Sequence, residues 1–246
     1  MRWILGVLLQ WLFSLLVLVA LVVVVLRVFF IDMAVVGHHA MAPTILAGDE
    51  IVIWRTQEFT VGDVAVCRHP SRMDDLELEE KRRQVVELAA DEEARNKLPL
   101  EDELADDAPR LPLFGRVIAK PGVELSSERG HLTVGTERCD VDFQGELPFH
   151  DPLLGRTDRM KRGTEHLGRR HHDVLLRAKP QWRMKKHQVL AGLYVLSDNR
   201  HHPGQDSRSF GEVQPAQCIG RAVLRWRRGD PIRSAQMGHG RWDLLR

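Results

Sequence analysis

The first apolar run sets the organisation of the chain. Residues 3–26 are broken only by Gly6, Gln10 and Ser14 and carry no charge. A helix needs roughly 20 such residues to cross a hydrocarbon core of about 30 Å. A cleaved signal peptide has a shorter apolar stretch, about 7–15 residues, with small residues at the cut. This run passes instead into Arg27, Phe29 and Phe30, which suit a membrane border. The pattern predicts an uncleaved transmembrane anchor over residues 3–30. Arg2 and the amino terminus favour a cytosolic N-terminus while Arg27 pulls the other way, so charge alone leaves the orientation open. No second run of this kind follows, which puts the remaining residues on one side of the membrane.

Beyond the anchor the period shortens to that of strands. Residues 50–54 and 64–67 read as strands joined through a turn at Val61-Gly62-Asp63. Residues 116–119 read as a third, ended by Pro121-Gly122. Residues 123–125 and 131–134 read as a hairpin around Arg129-Gly130, and 192–196 and 219–226 are the last strong apolar segments. Many short strands with Gly/Pro turns predict a mainly β domain over residues 31–226. Residues 70–111 differ in texture, with 14 acidic and 7 basic side chains and helix formers until Pro99. They predict a solvated helical acidic insertion, a docking arm for a partner being the sharper alternative. Residues 227–246 are Gly-rich and basic and read as a loosely ordered tail.

Charge and composition narrow the chemistry. The 35 basic and 34 acidic residues nearly cancel, so no net-charge argument points to nucleic acid. Residues 155–172 are locally basic. Three cysteines, Cys67, Cys139 and Cys218, form no CxxC pair and allow at most one disulfide. Cys67 and Cys218 lie in apolar runs and read as buried and inert. The pairs His171-His172 and His201-His202 invite a metal reading. Adjacent strand residues point to opposite faces, however, and no carboxylate or cysteine set accompanies them, so neither a metal nor a cofactor is expected.

Ala40-Met41-Ala42-Pro43-Thr44-Ile45, followed by Gly48-Asp49, directly succeeds the anchor. Val61-Gly62-Asp63-Val64-Ala65-Val66 comes next, then Arg116-Val117-Ile118-Ala119-Lys120-Pro121-Gly122. Glu165-His166-Leu167-Gly168 follows, with His172 and Val174 after it. Ser197-Asp198-Asn199-Arg200, Asp206-Ser207-Arg208 and Gly220-Arg221-Ala222 close the series. In this order and behind such an anchor, these blocks resemble bacterial signal peptidase I over residues 1–69 and 112–226. The resemblance implies a coiled β-sheet domain on the outer face of the cytoplasmic membrane, single-pass, that cuts signal peptides from exported proteins.

It also implies a mechanism, and the residues for it are missing. A serine in that family attacks the scissile carbonyl. A lysine, kept neutral by desolvation, takes the proton. A backbone N–H and a serine hydroxyl two residues upstream hold the developing charge. Here Ala40 stands at the nucleophile position, Gly115 at the base position and His38 at the oxyanion serine position. A further serine orients the lysine from the loop at 201–205, which contains none. Lys120 precedes a turn an odd step from Gly115 and should point away. Ser197, in place of a family glycine, is a remote stand-in nucleophile. The family's motif residues Met41, Pro43, Thr44, Arg116, Asp198, Asn199, Arg200, Asp206, Ser207 and Arg208 are present, and they read as scaffold. The expectation is a membrane-anchored, catalytically inactive relative. Its partners would be the membrane, signal peptides or exported preproteins, or an active signal peptidase homologue. The alternatives are a working peptidase with a rearranged site and a non-catalytic assembly subunit.

Overall fold

The computed structural model describes residues 2–68, 112–128, 130–151, 156–177, 184–201, 206–240 and 242–245. The expected helical insertion at 70–111 lies outside them, as do residues 202–205 of the polar loop. The apolar run forms the helix Arg2–Val25, which loosens into a π-helical turn at Leu26–Phe30 before the chain becomes extended. Residues 10–30 have a mean hydropathy of 3.0 and are not buried in the fold, so this helix can span a membrane. Phe30 at its end stacks on Trp54, with ring centroids 5.5 Å apart.

The domain that follows is mainly β. Its strands are β1 (Ile31–Val35), β2 (Glu50–Trp54), β3 (Val64–Cys67), β4 (Leu113–Ala119), β5 (Glu124–Glu128), β6 (His131–Val134) and β7 (Glu137–Arg138). After these come β8 (Val141–Asp151), β9 (Arg156–Leu167), β10 (Arg170–Arg177), β11 (Met184–Gln188), β12 (Tyr194–Leu196), β13 (Cys218–Arg227) and β14 (Asp243–Leu244). The main sheet runs β1-β2-β13-β3-β4-β12, with β14 added to β13. Its pairings are antiparallel. Alternation along the strands divides its buried side chains between two clusters. Met41, Ile51, Ile53, Val64, Val66 and Phe114 belong to one. Ala65, Leu113, Val117, Leu193 and Val195 belong to the other. A three-stranded sheet β10-β9-β8 and a four-stranded sheet β11-β5-β6-β7 complete the domain.

The long strands β8 and β9 carry little apolar signal. In β9 the buried positions include Met160 and Leu167, separated by charged residues that meet solvent or partners on β10. Arg162, for example, bonds Asp173 across the ladder. A sheet with one wet face therefore reads in sequence as a basic segment.

Two expectations are corrected. Cys67 and Cys218 are buried but not inert: they form a disulfide between directly paired residues of β3 and β13. Apolar flanks predict burial, but only the strand register brings two thiols face to face. The chain after Arg227 is not loose. The helix Pro231–Gln236 is capped by the Asp230 carboxylate, which accepts the Ile232 and Arg233 N–H groups. Ser234 and Met237 are buried, and Arg225 of β13 bonds both Asp243 and His239.

Candidate functional site

The segment after β1 turns sharply through a 3-10 turn, His39–Met41. His38 precedes the turn and caps it, its Nδ1 accepting the Ala40 N–H at 3.3 Å. The Ala40 carbonyl accepts the Asn199 N–H at 2.8 Å. Ala40 and Met41 are 0% exposed, His39 3% and His38 9%. His39 meets the Phe149 ring edge-on, and its Nε2 lies 3.0 Å from Arg233 Nη1 on the C-terminal helix. Arg225 donates to the Thr44 carbonyl at 2.9 Å and lies 3.6 Å from the Asp49 carboxylate, tying this segment to β13.

Gly115 sits within β4, opposite Ala65 of β3. A Cβ built there would lie 3.0 Å from Val195 Cβ and 3.1 Å from Val195 Cγ2, closer than ordinary van der Waals contact. It would also lie 3.9 Å from the Leu196 carbonyl oxygen. Residues 196–199 thus connect the two positions, touching Gly115 at one end and Ala40 at the other. Lys120 is exposed beyond the end of β4.

The motif residues form a buried charged network beside these positions. Arg116 donates to both Asp198 oxygens, Nε at 2.8 Å and Nη2 at 2.7 Å, and to the Gly62 carbonyl at 2.7 Å. Thr44 Oγ1 donates to Asp198 at 2.5 Å. Arg200 pairs with Glu165 and donates to the Ser197 carbonyl at 2.5 Å. His172 lies between the pairs, its Nε2 3.3 Å from Glu165 and 3.6 Å from Asp198, neither contact aligned as a hydrogen bond. Asp206 accepts the Ser197 N–H at 3.0 Å and holds Arg208, while Ser207 Oγ accepts the Val195 N–H at 2.9 Å.

Burial and pairing set the charge states. Burial alone would raise the Asp198 carboxyl, but the Arg116 guanidinium holds it below its ordinary value. Burial works the same way on Glu165, and Arg200 with His172 brings it down to about 2. Burial and then the Arg116 charge lower His172, which favours a neutral ring. Two guanidinium–carboxylate pairs with a neutral imidazole balance one another, as a buried cluster must.

Sequence reasoning placed Glu165 and His172 within a motif but gave them no role. It allows His39, with His38, as a stand-in base but finds no Ser or Cys near enough to serve. It missed Phe149, Val195 and Arg225, which carry no pattern of their own and meet the site only through packing. Ser197 is fully buried, and its Oγ has no hydrogen-bond partner among the described residues. None of the described residues bonds it as an activating base would. No group of three or more His, Cys, Asp or Glu among the described residues is placed to hold a metal ion.

No curated protein matches the chain. A family model described as signal peptidase, peptidase S26, matches residues 8–227, from inside the anchor to the last residue of β13. With the match covering most of its length, the chain belongs to the peptidase S26 signal peptidase family.

Proposed function

We propose that this chain is a catalytically silent, membrane-anchored member of its family that holds extended peptides of exported proteins without cutting them. The observation that carries this reading is the pair Ala40 and Gly115. Neither supplies a nucleophile or a base, and removing such groups from a serine peptidase costs on the order of 10⁴–10⁶ in rate. The rearranged-site alternative would need Ser197, whose hydroxyl is enclosed and has no hydrogen-bond partner among the described residues.

Two features support peptide holding at a membrane. β1 pairs only with β2 among the described strands, which leaves an edge for strand addition. Met33, Val52, Leu224 and Leu244 align across β1, β2, β13 and β14, so they share one face of the sheet, and Met33 and Leu244 are exposed on it. Trp226 and Trp242 stack nearby, also exposed, and tryptophan favours the membrane interface. The Cys67–Cys218 disulfide favours an oxidising compartment, hence an extracytoplasmic domain.

The test is photocrosslinking from Met33 and Val35 to a preprotein, with the full chain in lipid. A crosslink to the signal peptide without cleavage is expected. Cleavage that survives protease-inhibitor controls would overturn the silent reading. Absence of any crosslink along β1 would overturn peptide holding.

A further inference from the structure

We propose that Val195 occupies the space into which a side chain at position 115 would project, so the base position is closed by packing as well as by loss of the lysine. The inference rests on the silent-site reading and adds a cause to it.

The strand register carries the argument. Val195 pairs with Val117 and Leu196 with Arg116. The ladder ends there, at the last residue of β12. Residues opposite each other share a face. Residues two apart on one strand also share a face. Gly115, Val117 and Val195 therefore face the same side. The contacts agree: Val195 Cβ and Cγ2 lie 3.0 and 3.1 Å from where a Cβ at 115 would be.

Val195 cannot move aside freely, and the chain that follows it is also held. The Val195 N–H is bonded to Ser207 Oγ, and Val195 packs with Val117, Leu113 and Ala65. A β-branched side chain has little rotamer freedom with which to yield. Ser197 is held at both backbone groups, its N–H by Asp206 and its carbonyl by Arg200. The Gly115 and Val195 positions thus read as a matched pair, in which space left by one is filled from the other.

The test is a set of coupled substitutions in the full chain, purified in detergent and followed by thermal unfolding. Gly115→Lys should lower Tm by on the order of 5 °C or more. Combined with Val195→Ala it should recover more than half of that loss, although Val195→Ala alone is destabilising. Should the lysine variant fail to fold, Gly115→Ala asks the same question, because its Cβ alone requires Val195 to yield. Independent, additive losses would overturn the proposal, since residues without contact do not couple. Cleavage by the wild-type chain would instead remove the silent-site reading and leave the packing result standing.

Discussion

His38 Nδ1 accepts the Ala40 N–H at 3.3 Å, so the amide of Ala40 is already engaged by the residue two positions upstream. In acyl-transfer peptidases the nucleophile's own N–H is among the donors that meet the developing oxyanion. On the proposed reading, in which residues 40 and 38 stand at the nucleophile and oxyanion serine positions, the buried imidazole both replaces a donating hydroxyl and takes up a neighbouring donor.

Partial reconstruction should fail in proportion. Ala40→Ser with Gly115→Lys should give at most trace cleavage, on the order of 10³ below a normal enzyme, because a missing oxyanion donor alone costs about 10²–10³. Adding His38→Ser should raise the rate, as measured with a preprotein in lipid. Full activity from the double variant would show that nucleophile and base were the only defects.

The Arg116–Asp198 pair should be structural and sensitive. Both side chains are essentially unexposed and share two hydrogen bonds. Removing one partner leaves an uncompensated buried charge, so Arg116→Ala should cost about 3–5 kcal/mol. Arg116→Lys should recover only part of it, because an ammonium cannot reproduce the two-pronged contact. Chemical denaturation of the three proteins checks the order.

Stability should fall as pH drops below neutrality. Burial and then the Arg116 charge lower His172, and burial with Arg225 lowers His239 to about 4. In the unfolded chain both histidines take up a proton near pH 6.5. Their contribution is therefore fully present above that value and is lost as pH falls from about 6.5 toward 4. Asp49, raised by burial, acts in the opposite sense at lower pH. Replacing His239 with Gln should flatten the decline in Tm between pH 7 and pH 5; an unchanged slope would contradict the assignment.

The thiols should report the fold. Reducing the Cys67–Cys218 bond opens a closure of 151 residues and should lower stability by about 2–5 kcal/mol. Cys139 is buried, and burial with the nearby Glu165 charge pushes its thiol up to about 12. It should resist alkylation until the domain unfolds. Mass spectrometry of native and denatured samples, with and without reductant, distinguishes the three cysteines.

Much of this protein is legible along the chain. A long uncharged run can be only a few things, and its length chooses a spanning helix. β2, β3, β6 and β13 carry local apolar signals, so their spans follow from pattern. Residues 40 and 115 need no structure to be read as chemically empty once the flanking motifs are seen. The solvated strands β8 and β9 escaped notice because their stability comes from ladder bonds and ion pairs such as Arg162–Asp173, which leave no apolar period.

The sequence by itself determined the anchor, the mainly β class, the family motifs and the absence of reactive atoms at Ala40 and Gly115, because each depends on residue type and local order. Tertiary structure alone decided that Cys67 meets Cys218, that the residues after Arg227 pack onto β13, that Glu165, His172 and Arg200 join Arg116 and Asp198, and that Val195 closes over Gly115. Those relations join residues far apart in the chain, and they are set by strand register and by the balance of charges that burial demands, neither of which has a local signature.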